Sequence, residues 1–101
     1  MLARRLRLAD AQIQSLAALD VYGRVARQLL AFAQEYGEEQ SDGSTLIPLR
    51  LTQSDLADLT GATRVRVNQV LVDYKERGYI SAGPDHRFTI HNREALARRY
   101  R

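Results

Sequence analysis

The sequence predicts a mainly α-helical chain with one small β-hairpin near its carboxyl end. Three observations predict it. Apolar residues recur at helical spacing through the first third of the chain. Two short helical segments then meet at Gly61, and two β-rich runs flank a Gly-Pro-Asp-His turn at residues 83–86.

The opening segment reads as a heptad helix. Leu2, Leu6, Ala9, Ile13 and Leu16 follow alternating spacings of four and three, which keeps them on one seam. The next seam position is Asp20, so the stripe is short. A strict seam is narrower than a core-facing stripe, which favours a homodimer contact over packing within the chain. Asp20 reads as the N-cap of a second helix from Val21 to about Tyr36, with Val21, Val25, Leu29, Leu30 and Phe32 or Ala33 turned inward and Gly37 ending it. The stretch Glu38–Ser44 is acidic, carries Asp42-Gly43 as a turn signal, and is expected to be a solvated loop. Its carboxylates show no metal-ligand spacing. Residues 46–51 are extended, and Pro48 confines them to an edge strand or a linker.

Residues 51–80 carry the strongest signal. Thr52 with Asp55 three positions on forms an acidic variant of the capping box, and Leu51 and Leu56 stand at the hydrophobic-staple positions. The helix so opened runs from about Gln53 to Thr60 and offers Leu56, Ala57 and Leu59 to the core. Gly61 supplies the left-handed residue of a tight turn, and Thr63 caps a helix to about Arg77 that Gly78 terminates. Helix, three-residue turn and helix make a helix-turn-helix, over about residues 52–77. On its second helix Val67, Val70, Leu71 and Tyr74 recur at i, i+3, i+4 and i+7 and must face the core. Arg64, Val65, Arg66, Asn68 and Gln69 are left on the exposed amino-terminal face.

Those outward residues are types that read DNA bases. A guanidinium suits guanine, amides suit adenine, and a methyl surface suits thymine. Gln69, able to donate and accept, is expected to match adenine, and Arg64 to match guanine. Ser54, Thr63, Arg66, Arg87 and His86 are placed to meet phosphates. About four phosphates per protomer give a dimer a slope of log affinity on log salt near −7. The charge is distributed accordingly: residues 61–101 hold nine Lys/Arg against four Asp/Glu, whereas residues 1–60 hold six Arg against eight Asp/Glu.

Residues 79–81 and 87–90 form the hairpin, a wing over about residues 79–91. His86 and His91 on it lack a third ligand and read as surface residues. Asn92 opens a last helix, 93–101, rich in arginine, which serves as a phosphate-facing arm or as a docking element. The whole is a winged helix-turn-helix over residues 20–101, with the dimerisation helix ending near residue 19.

At residues 51–80 the run LTQSDLADLTGATRVRVNQVLVDYKERGYI resembles the C-terminal helix-turn-helix of the cyclic AMP receptor/FNR family of bacterial regulators. The resemblance extends back through LAALDVYGRVARQLL, residues 16–30, which looks like the junction between that family's dimerisation helix and its DNA-binding domain. It implies a dimeric, double-stranded-DNA-binding transcription regulator, with RNA polymerase left open as a further partner. It also implies a β-barrel sensor domain before the dimerisation helix, absent from these 101 residues. No cofactor is expected in this chain, while a full-length parent is expected to bind a nucleotide or another effector. Arg64 matches the arginine of the cyclic AMP receptor. Val65 stands where the family usually has glutamate, and Gln69 where it usually has arginine. Ala9 and Asp10 stand where the cyclic AMP receptor presents hydroxyls to the nucleotide base. A winged helix-turn-helix serving protein–protein contact is the alternative reading.

Composition removes other classes. The chain has no cysteine, so disulfides, thiolate zinc and cysteine nucleophiles are excluded. Nucleophile-and-base spacings and glycine-rich phosphate loops are also missing, so no enzyme is expected. No apolar run has signal or membrane length, and a soluble protein of the reducing cytoplasm is expected.

Overall fold

In the computed structural model the described residues are 21–99. Helix α1, described over residues 21–36, leads into strands β1 (Glu38–Glu39) and β2 (Thr45–Leu46). Helices α2 (Gln53–Thr60) and α3 (Arg64–Glu76) follow, then β3 (Ile80–Ala82), β4 (Phe88–Ile90) and α4 (Arg93–Arg98). This is the expected winged helix-turn-helix. The heptad seam, its Asp20 terminus and Arg101 lie outside the described residues.

The local signals of the helix-turn-helix are realised as hydrogen bonds. Thr52 Oγ1 accepts from the Asp55 N–H at 3.1 Å, and the Asp55 carboxylate accepts from the Thr52 N–H at 3.0 Å. Gly61 adopts φ 70°, and its N–H closes on the Ala57 carbonyl. An L side chain rarely takes that conformation, so the turn needs glycine. Thr63 Oγ1 then accepts from the Arg66 N–H and starts α3. Gly78 follows the C-cap Arg77, again at positive φ.

Val67, Val70, Leu71 and Tyr74 are all buried, as the helical spacing requires. They join one core with Val25, Ala26, Leu29 and Ala33 of α1, Leu56 and Ala57 of α2, and Ile80, Phe88 and Ile90 of the sheet. Val21, Leu30 and Phe32 pack on its margin. Leu59 departs from expectation: it is 50% exposed, and Thr60 is buried in its place, its hydroxyl donating to the Leu56 carbonyl. A buried hydroxyl so satisfied costs little, which lets the polar residue go inward.

Two expectations for residues 38–51 are corrected. The acidic stretch is not wholly a loop, because Glu38 and Glu39 pair antiparallel with Leu46 and Thr45. The sheet order is β1-β2-β4-β3, so β2 lies inside it rather than at an edge. The proline constraint still holds, since the ladder stops before Pro48. Gly37 makes the turn into β1 possible by close approach. A Cβ there would collide with the Ala33 carbonyl oxygen and crowd Thr45 Cγ2. The wing strands sit within one residue of their expected places, and α4 is shorter than expected. No helix among the described residues is long and apolar enough to cross a membrane.

Tyr74 is fully buried, and its hydroxyl donates to the Tyr22 carbonyl at 2.6 Å. Burial pushes the Tyr74 phenol well above its usual pKa, so it remains a donor. Tyr74→Phe is expected to cost about 1–2 kcal/mol of stability through that lost bond, read from urea unfolding. An unchanged midpoint would show that the bond contributes nothing net. A second expectation concerns acid. The hydrogen bond from the Thr52 N–H, then the Thr52 side chain, holds the Asp55 carboxyl below the ordinary carboxylate range. A depressed folded-state pKa stabilises above the unfolded value and is lost as pH falls through the folded one. Asp55→Asn should therefore be less stable than wild type at neutral pH, with the gap closing below about pH 4. An equal gap at pH 3 and pH 7 would show that the charge has no part in the cap.

Candidate nucleic-acid interface

The site is the outward side of α3 with the amino end of α2 beside it. Burying Val67, Val70, Leu71 and Tyr74 turns the opposite face of a helix to solvent. Arg64, Val65, Asn68, Gln69 and Val72 are all exposed there, Val65 at 69% and Val72 at 41%. Gln53, Thr63, Arg64, Val65 and Asn68 line a shallow depression between the two helices.

The four residues expected to read bases thus share one surface. Two are engaged by neighbours. Gln53 Nε2 donates to Asn68 Oδ1 at 2.7 Å, and Arg66 Nη1 donates to Gln69 Oε1 at 3.1 Å. Gln53 was not singled out from the sequence. Its place at the first position of α2, after the cap, was the available signal, but a contact over fifteen residues was not legible.

The residues expected at phosphates are more scattered. Ser54 is exposed in the first turn of α2, and Thr63 is exposed at the start of α3. Arg66 is half-buried and folds back toward α1, its guanidinium carbon 5.8 Å from the Tyr22 ring centroid. Arg87 and His86 lie on the wing. Arg87 pairs with Asp85 at 2.9 Å and donates through Nε to the Pro48 carbonyl at 3.2 Å. His86 is exposed at φ 57°, and His91 Nε2 lies 2.8 Å from Ser81 Oγ. Among the described residues no group of three His, Cys, Asp or Glu could hold a metal ion.

The helices are braced from behind. Arg24 of α1 donates to the Thr60 carbonyl at 2.9 Å, at the carboxyl end of α2 where carbonyls lack helical partners. Asp73 accepts from Arg77 at 3.1 Å and lies 4.0 Å from Arg99 just past α4. Arg99 also stands over the Tyr22 ring at 5.1 Å.

Fold and surface together define a winged helix-turn-helix module of the kind found in transcription regulators. The profile of the Crp-like helix-turn-helix domain matches residues 23–99, and the chain belongs to that family. It is similar over its whole length to the CRP-like cAMP-activated global transcriptional regulator of Mycobacterium tuberculosis, at 42% identity over 101 residues and 44% of that protein. It is 33% identical to the anaerobic regulatory protein of Bacillus subtilis over 95 residues, 94% of this chain and 40% of that protein. The Thermus thermophilus catabolite activator protein superimposes with TM-score 0.67 at 29% identity, over 98% of this chain and 42% of its own. The CO-dependent transcription factor CooA of Carboxydothermus hydrogenoformans shares the fold, with TM-score 0.77 at 23% identity, over 99% of this chain and 45% of its own. The chain spans less than half the length of these curated relatives. The family and its members are transcription regulators, not enzymes.

Proposed function

We propose that this chain binds double-stranded DNA sequence-specifically, as the DNA-binding end of a dimeric bacterial transcription regulator, with α3 in the major groove. The observation that carries the reading is the outward face of α3. Val65 and Val72 gain nothing from solvent but fit a groove lined by thymine methyls, and polar groups suited to base edges surround them. Arg64, Val65, Asn68 and Gln69 read bases. Ser54, Thr63, His86 and Arg87 meet phosphates on either side.

Leu2, Leu6, Ala9, Ile13 and Leu16 form the dimer seam in this proposal. A dimer sets two copies of α3 into successive major grooves, which requires half-sites about 34 Å apart. The names of the relatives support a regulator of transcription. Any effector of a full-length parent, and contact with RNA polymerase, belong to the same proposal.

Arg66 is half-buried between Tyr22 and Gln69, whereas Arg87 pairs with Asp85 in the open and can exchange that partner for a phosphate. With the amino ends of α2 and α3 at Ser54 and Thr63, about three phosphates per protomer are engaged, about six per dimer. The slope of log affinity on log salt is then expected near −5, shallower than the count from sequence. Anisotropy titrations with duplex DNA at several salt concentrations measure it. Salt-independent binding would favour a protein-contact module instead. Arg64→Ala should cost roughly 1–3 kcal/mol at one guanine and relax the choice there. Selection from a random duplex library checks this, and an unchanged consensus would remove Arg64 from the base readers.

A further inference from the structure

Gln69 lies on the face of α3 proposed to enter the groove, and the inference here rests on that reading. Its carbonyl oxygen accepts from Arg66 Nη1 at 3.1 Å. Arginine carries donors and no acceptor, so this contact fixes which end of the amide faces it. The oxygen turns to Arg66, and the NH2 group is left for the groove.

Arg66 is held in its turn. Its guanidinium stands over the Tyr22 ring, and the residue is half-buried. The Tyr22 ring packs edge-on against buried Tyr74 with centroids 5.6 Å apart, and the Tyr22 carbonyl accepts the Tyr74 hydroxyl. A line of contacts thus runs from the core through Tyr22 and Arg66 to the amide. The same polarity recurs at Asn68, whose oxygen accepts from Gln53 Nε2.

An amide free at both ends matches adenine, donating to N7 and accepting from the N6 amino group. The oxygen keeps a second lone pair, but the hydrogen bond turns it toward Arg66, so Gln69 meets a base edge through its NH2 group, as a donor. Guanine presents acceptors at N7 and O6, and thymine presents one at O4. We propose that Arg66 is a positioning residue that holds the Gln69 carbonyl, so that Gln69 selects guanine or thymine over adenine. This reverses the preference that Gln69 would have alone.

The test compares wild type with Arg66→Ala and Arg66→Met. The methionine keeps an apolar stem against Tyr22 but removes the donors, which separates loss of packing from loss of the hydrogen bond. Selection from a random duplex library gives each consensus, and Gln69→Ala identifies the base that residue 69 reads. Wild type is expected to prefer guanine or thymine over adenine there by about 5- to 10-fold. Both Arg66 variants should shift that one base toward adenine, leave the guanine read by Arg64 in place, and keep the salt slope of wild type. Wild-type preference for adenine, or an unchanged consensus in both variants, overturns the proposal. A slope shallower by about two per dimer with unchanged consensus identifies Arg66 as a phosphate contact instead. Wild type that binds duplexes without sequence preference overturns the DNA-reading function itself, an outcome distinct from the others.

Discussion

The packing of Tyr74 against Tyr22 is the contact on which the arrangement of the helices depends. Tyr74 is the largest of the fully buried side chains and sits three turns into α3. Its ring meets Tyr22 of α1 edge-on and Tyr79, before β3, at a tilt. Its hydroxyl spends its one proton on the Tyr22 carbonyl, so a polar atom in the core is satisfied across a separation of 52 residues. The bond fixes both the distance and the rotation of α3 relative to α1. Rotation matters because it decides which residues of α3 are presented outward.

The same tyrosine pair organises charge at the surface. Tyr22 lies beneath two guanidiniums, Arg66 from α3 and Arg99 from the end of α4. Arg99 also reaches Asp73, which pairs with Arg77 one turn on. Ion pairs near the surface, like these part-buried ones, add little stability singly. Their effect here is geometric, since each removes a long side chain from the set of free cations and gives it a fixed direction. A count of basic residues in the second half of the chain therefore overstates how many can leave for a phosphate.

What could be read from the sequence follows from how local the determining interaction is. Both ends of α2 and the start of α3 were legible, because Thr52 with Asp55, Gly61 and Thr63 act within four positions. The buried face of α3 was legible because helical periodicity is local as well. The β1–β2 pairing was not, since Glu38-Glu39 has no strand-like composition and gains its place from Leu46 and Thr45 across a turn. The inner position of β2 depends on β4, some forty-five residues away. Leu59 and Thr60 exchanged roles because one hydroxyl found a carbonyl inside its own helix. On the interface itself, the residue types and their common face were readable. The pairings of Arg66 with Gln69 and of Gln53 with Asn68 needed rotamers that no pattern specifies.

The two-residue strand β1 has a consequence for solubility. It forms one margin of the sheet, where a row of unpaired backbone groups invites another chain to add as a strand. Here that margin is only Glu38 and Glu39, both exposed, so an incoming copy would set carboxylates against carboxylates. Short length and like charge together discourage fibre-like stacking through this side. The acidic pair thus keeps molecules apart at the end of the sheet opposite the wing, which remains at liberty to meet a polyanion.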